Sequence, residues 1–442
     1  MKWFFGALFL LFVGFVFELG PLIYAMYVLL GVLLVTRFLT FTWVECMDVT
    51  RECDRYSCQI GETVAVAAIA RNEGLLPVPW MLMEDAVPRD ALTSSPPRIK
   101  AKGPRVTVAQ LFPLAAKHLL YQLTFQQRGY YQIGPMLLES GDPFGLHRRF
   151  KVSGKPNFIL VYPQVVPLDG YDISSRRPIG EIRLTHRLFE DPTRISGVRE
   201  YQPGDPLNRV NWRATARTGT LQSKTFDASC IAGATLLLDF HQYSHRGGME
   251  ANRLTELTVT AAASLANTLY QMNQQIGLIS NGRDAADRIR EEGWKQEFRT
   301  RSVARKLLDL RKDQDDRLRP VVVPTLRGGE QLMRILETLA RLELTNGLNF
   351  AQLVEEAKPH IPRDTTVIAV LRAVSEETAL ALGSLKRAGW SVTAVVSVPE
   401  RIPDWVVPPE WATLLLAQGI AFRPINDEEA LANLCGEQLI TA

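Results

Sequence analysis

Arg209, Arg213 and Arg217 are the residues of this 442-residue chain whose type and spacing most readily do chemistry. They recur at i, i+4 and i+8, which on a helix places three guanidinium groups along one face. Guanidinium groups are planar, permanently charged donors, so such a row suits carboxylates or phosphates. The row lies within Gly197 to Phe226, which reads as a strand, a Pro203-Gly204-Asp205-Pro206 turn, a short helix and a second strand. Arg199, Tyr201, Gly204, Asp205 and Trp212 belong to the same stretch. No nucleophile, general base or metal-binding cluster sits beside it, so it reads as a recognition element rather than a catalytic one.

Composition narrows the partners. The formal charge of +3 rules out a polycation seeking nucleic acid. Charge is unevenly spread, however: Arg176 to Lys224 holds ten basic against five acidic residues, which concentrates anion affinity there. Cys46, Cys53, Cys58, Cys230 and Cys435 are odd in number and form no Cys-x-x-Cys pair, which fits a reducing compartment. The first three lack a nearby fourth zinc ligand. Phosphate-binding P-loops, dinucleotide fingerprints, nucleophile elbows and His-Glu-x-x-His helices are missing from the sequence.

Three kinds of segment position this stretch. Trp3 to Phe17 and Leu22 to Thr36 are apolar, separated by Glu18-Leu-Gly-Pro21. As one helix they would be about 50 Å long against a hydrocarbon core of roughly 30 Å, and Gly20-Pro21 would break them, so a two-span hairpin over residues 1–42 is expected. Lys2, Arg37, Arg51 and Arg55 flank the spans and only Glu18 lies between them, which puts both ends and the soluble bulk in the cytoplasm. A cleaved signal peptide is the rival, disfavoured by the second apolar stretch.

Residues 43–165 alternate in short apolar runs, as in Thr63–Ala70, Arg105–Phe112 and Leu119–Phe125, and predict a β-sandwich of about seven strands. In Asp142-Pro-Phe-Gly-Leu146, Asp142 is expected to cap a turn while Phe144 and Leu146 plug the core. After a basic segment over 166–230, residues 231–442 alternate strands and helices, starting with Ala234–Asp239 and Arg253–Gln274. That pattern specifies a doubly wound, mostly parallel α/β sheet. The charged region from Arg283 to Asp316 reads as a surface excursion.

Val198 to Phe226, Arg128-Gly-Tyr-Tyr-Gln-Ile-Gly-Pro135, Asp142 to Leu146 and Val161-Tyr-Pro163 together resemble the bacterial and archaeal family called Domain of Unknown Function 58. The resemblance implies a bacterial inner-membrane protein: a two-span anchor, a β-rich module and a von Willebrand factor A-like domain. It also implies a MoxR-type AAA+ ATPase as partner, since members are commonly encoded near one. Von Willebrand A domains often hold Mg²⁺ with Asp-x-Ser-x-Ser at the end of the first strand. Here Asp239 is followed by His241 and Tyr243 in place of the serines, Thr345 is the candidate second ligand, and Arg372 stands where another aspartate is expected. A degenerate site without metal or other cofactor is expected. His241 and His245 lack a third ligand for a transition metal.

Two readings of the arginine row stay open. Glu190, Asp191, Glu200 and Asp205 can neutralise it as an ion-pair network joining sandwich to α/β domain, with Trp212 and Tyr201 packed at the junction. Alternatively the row docks an acidic protein or anionic lipid head groups. The expectation is a membrane-anchored, non-enzymatic scaffold that docks a cytoplasmic protein; the alternative is a divalent-cation-dependent ligand-binding module using Asp239.

Overall fold

The computed structural model describes residues 2–168, 190–202, 210–228, 233–245, 247, 249–292, 318–363, 365–399 and 409–435. The chain divides into two compact units: Met1–Gln164 with two returns of the later chain, Asp284–Asp315 and Leu339–Leu342, form the first, and the rest forms the second.

The first unit opens with helices α1 (Lys2–Val16) and α2 (Gly20–Glu45). The break between them falls at Phe17–Leu19, where Glu18 takes a φ of 52°. Pro21 does not end a helix but opens one, in the first turn of α2, where its missing N–H has no partner to lose. Of the two, α2 is long and apolar enough to cross a membrane; α1 is a shorter apolar helix. Ring contact between Phe15 and Tyr27, 6.5 Å apart, joins them.

Strands β1 (Met47–Cys53), β2 (Ser57–Gln59), β3 (Thr63–Asn72) and β4 (Val78–Asp85) follow, then a one-turn helix α3 (Arg89–Thr93). Next come β5 (Ile99–Lys102), β6 (Val106–Leu111), β7 (Ala116–Phe125), β8 (Gly129–Ile133), β9 (Met136–Gly141), β10 (Arg148–Ser153) and β11 (Asn157–Tyr162). They form three sheets, β1-β3-β7-β5, β10-β9-β4-β6 and β2-β11-β8, so the module has eleven strands and not about seven. The shorter strands carry charged outward residues that hide their alternation, as in Met47-Asp-Val-Thr-Arg-Glu-Cys53.

Alternate residues of β3 and β7 bury one face along their whole length. One end of that face (Ala68, Ala70, Leu119) packs with Met81, Met83 and Leu138 of the second sheet and with Trp43 and Val44 of α2. The other end (Val64, Val66, Leu123, Phe125) packs with Ile133, Ile159 and Val161 of the third.

One charged network lies inside this apolar module. Asp85 accepts from Arg51 Nε at 2.9 Å, from a second Arg51 nitrogen and from the Tyr121 hydroxyl at 2.7 Å. Arg51 also donates to the Lys155 carbonyl at 3.0 Å, and a Cβ at Gly134 would overlap its guanidinium. Burial, with the Asp85 carboxylate beside it, pushes the Tyr121 phenol far above its ordinary value.

The second unit holds an antiparallel pair, β12 (Glu190–Glu200) with β13 (Gln222–Ala228), and between them helix α4 (Trp212–Thr218). Then come β14 (Gly233–Leu238), α5 (Met249–Gln271) and β15 (Gln275–Ser280). Two-residue β16 (Arg283–Asp284) precedes α6 (Ala285–Glu292), a helix that belongs to the first unit, so the charged region expected to be a surface excursion begins as regular structure; its remainder, 293–316, lies outside the described residues. Further along are β17 (Val321–Leu326), α7 (Gly329–Arg341), β18 (Leu342–Glu343), α8 (Phe350–Ala357), β19 (Thr366–Leu371), α9 (Glu376–Arg387), β20 (Ser391–Ser397), α10 (Glu410–Ala417), β21 (Ala421–Ile425) and α11 (Glu428–Ala432).

The principal sheet runs β17-β15-β14-β19-β20-β21, parallel except for β17 at the edge. Helices α8, α9 and α10 cover one face through Leu353, Leu382 and Leu415, while α5 packs against β14, β15, β19 and β20. Burial on both faces explains the unbroken apolar runs of β14 and β19.

Asp85→Ala leaves the Arg51 cation buried without its carboxylate and is expected to destabilise the first unit by about 3–5 kcal/mol in chemical unfolding of the detergent-solubilised protein. The folded state keeps the Tyr121 proton where the unfolded chain releases it, so stability falls as pH rises above about 10. In Tyr121→Phe that alkaline loss is expected to be smaller.

Candidate functional site

Two places carry the chemistry expected from the sequence, and both belong to the second unit. The first is α4. Asn211 caps it by accepting from Ala214 N–H at 3.2 Å, and Gly219 ends it in the left-handed conformation at φ 73°. The Thr215 hydroxyl accepts from Gln222 N–H at 3.0 Å and Asn211 N–H donates to the Gln222 carbonyl at 2.8 Å, so the helix is stitched to β13. With Asn211 as its cap, the helix carries Arg213 and Arg217 of the expected row. Arg209, Gly204 and Asp205 lie outside the described residues.

No residue of α4 is buried. Trp212 is 68% exposed, and Arg213 and Arg217 are exposed beside it. Among the described residues neither arginine makes an ion pair. Arg199 and Tyr201 close the neighbouring strand end: Arg199 donates to the Glu200 carbonyl at 3.1 Å and Tyr201 N–H to the Leu221 carbonyl at 2.8 Å.

The second place is the carboxyl end of β14, where strand order reverses and ligands of open α/β sheets bind. Asp239 is 1% exposed. Its Oδ1 accepts from Asn281 Nδ2 at 2.9 Å and from His241 N–H at 3.1 Å, while its Oδ2 is buried without a hydrogen-bond partner. Thr345 is brought alongside as expected: His241 and Thr345 form a bridge, Gln242 N–H donates to the Thr345 carbonyl at 2.7 Å, and the Thr345 hydroxyl accepts from Gly347 N–H at 2.9 Å. The rings of His241 and Tyr243 stack 5.3 Å apart. His245 is buried, with Nε2 donating to the Asp239 carbonyl at 2.9 Å and Nδ1 lying 2.8 Å from the Thr255 hydroxyl.

Asn281, which the sequence reading passed over, joins these loops. Its Oδ1 accepts from Phe240 N–H at 2.6 Å, and its Nδ2 donates to Asp239 Oδ1 and to the Leu348 carbonyl at 3.0 Å. A polar residue directly after the buried strand Gln275–Ser280 and before Gly282 was the available signal.

The donor set does not fit a six-oxygen divalent ion. One carboxylate oxygen is spare, aromatic residues replace the two hydroxyls, and among the described residues no group of three His, Cys, Asp or Glu can hold a metal. Arg372, the residue after β19, is half-buried and donates to the Ser397 carbonyl at 3.3 Å; burial lowers its pKa, with Glu250 opposing.

Residues 197–350 match the family described as "Protein of unknown function DUF58". The match supports assigning the chain to the DUF58 family. That span contains α4, Asp239, Asn281 and Thr345, so both candidate places belong to the DUF58 region. The chain is also similar to the "Uncharacterized protein YeaD" of Bacillus subtilis (strain 168), with 23% identity over 58% of this chain and 62% of that protein's length. Among solved structures it is similar to the CARDB domain of the PF1109 protein from Pyrococcus furiosus (16% identity, 27% of this chain, 90% of that one, TM-score 0.17). It is likewise similar to the ASH / PapD-like domain of human CEP192 (14% identity, 25% and 82% coverage, TM-score 0.16).

Asn281→Ala unties three loop atoms at once and is expected to cost about 3 kcal/mol in unfolding of the second unit. An ion held at a hundred times its Kd would add about 2.7 kcal/mol. The wild-type melting temperature is expected to ignore millimolar Mg²⁺; a rise that Asp239→Ala abolishes would establish a metal site.

Proposed function

We propose that this protein is a membrane-anchored, non-enzymatic adaptor whose α/β unit docks a cytoplasmic protein through α4. The observation that carries the reading is the display of Trp212, Arg213 and Arg217 on a helix with no buried residue and both ends capped. A short element held rigid by caps and cross-bonds, yet contributing nothing to a core, is suited to binding. Exposed tryptophan beside arginine is the composition that dominates interface energies, and the guanidinium groups favour an acidic surface.

The anchor is α1 and α2 as two spans, with the soluble bulk on the cytoplasmic side as the flanking charges favour. The α/β unit is read as von Willebrand A-like, supported by the sheet order and the single antiparallel edge strand. A MoxR-type AAA+ ATPase is the proposed partner, on the strength of the family resemblance.

One observation favours a second reading, a divalent-cation-dependent ligand-binding module: the unpartnered Oδ2 of Asp239. The rest of that donor set opposes it.

Affinity of the detergent-solubilised protein for a purified MoxR-type ATPase of the same organism tests the adaptor. Arg213→Glu with Arg217→Glu is expected to weaken binding at least tenfold, about 1.4 kcal/mol, with no change in melting temperature. Undiminished affinity would remove α4 from the contact, and a wild type that fails to bind would remove the partner.

A further inference from the structure

Three loops at one end of the β-sandwich display apolar side chains outside its cores. β3 pairs antiparallel with β1, setting Asn72 opposite Met47 directly below α2, so the chain leaving β3 turns toward the end from which α2 enters. Glu73 N–H donates to the Cys46 carbonyl at 2.9 Å. Buried Asn72 stitches loop 73–77 to loop 112–115: its Nδ2 donates to the Leu76 carbonyl and its own carbonyl accepts from Leu114 N–H, both at 2.9 Å. The third loop, 142–147, joins β9 to β10 beside α2, where Arg149 donates to Glu45 Oε1 at 2.9 Å and lies 4.1 Å from the Phe41 ring centroid.

Asp142 caps the third loop as expected, accepting from His147 N–H at 2.7 Å, and Gly145 takes a φ of 72°. Phe144 and Leu146 do not plug the core. Phe144 is 69% exposed, as are Leu75 (86%), Phe112 (61%) and Leu114 (72%) on the other two loops. Leu114 also holds a φ of 61°, a conformation that non-glycine residues rarely adopt.

We propose that these three loops form a membrane-contact surface whose occupant is the bilayer that α2 enters. The proposal rests on the anchor reading of α2. Its 26 residues span about 39 Å, roughly 9 Å more than a hydrocarbon core. The excess corresponds to the last turns of α2, where Trp43 and Val44 are buried in the sandwich, so the loops meet the bilayer surface near Phe41. Around the apolar tips stand exposed Arg71, Lys117 and Arg148, placed to reach lipid phosphates while the tips enter the head-group boundary. Asp142 is buried, which leaves Glu73 as the exposed carboxylate of the three loops. The opposite end of the same sheet, at residues 54–56, presents Asp54, Arg55 and Tyr56 instead.

Photolabelling of the full chain tests this, reconstituted in phosphatidylethanolamine–phosphatidylglycerol vesicles that contain a diazirine-bearing phospholipid. Peptide mass spectrometry is expected to find adducts on α2 and on all three loops, and none on residues 54–62. Leu75→Asp with Phe144→Asp is expected to lose the adducts of their two loops and keep those on α2. Labelled α2 with bare loops would overturn the contact surface alone, as would loop adducts that survive the double substitution. Bare α2 would overturn the anchor reading beneath it.

Discussion

The carboxyl end of the α/β sheet depends on one buried side-chain amide. Parallel strands present their terminal N–H and C=O groups to the loops that follow them, and such groups, once buried, must find partners. Asn281 supplies them for Phe240, Asp239 and Leu348 together. An amide can do this because it donates and accepts at once, whereas a carboxylate only accepts. His245 adds a second tie from below, through the Asp239 carbonyl. The switch point is therefore held closed by neutral hydrogen bonds around a single carboxylate.

A comparable rule governs the first unit. Inside the sandwich Asp85, Arg51 and Tyr121 form a charged network whose members satisfy one another and whose positions pin β1, β4 and β7 together. At the other end of the same sheets, α2 is not merely attached. Trp43 and Val44 complete a core, and Lys151 donates to the Glu45 and Met47 carbonyls at 2.9 and 3.1 Å, placing positive charge at the helix C-terminus. A rigid joint of this kind fixes which loops face the direction from which α2 comes.

Where reading from the sequence went astray, the cause was local chemistry serving a different tertiary setting. Asp142-Pro-Phe-Gly-Leu does build a turn, but a turn's dihedrals do not say which way Phe144 points. His241 and Thr345 do meet in a bridge, although Thr345 follows β18, a strand outside the parallel sheet.

The sequence by itself determined the elements whose signals are periodic and near in the chain: the apolar run of α2, the alternation of β3 and β7, and the strand–helix succession from Gly233 onward. These follow from propensity and from burial of one face or both, which neighbours in the chain specify. Only the tertiary structure decided that Asn281 bridges the loops, that Arg51 meets Asp85, and that Leu75, Leu114 and Phe144 share one end of a sandwich. Those facts depend on sheet order and on which polar atoms burial leaves wanting a partner, and residues far apart in the chain settle both.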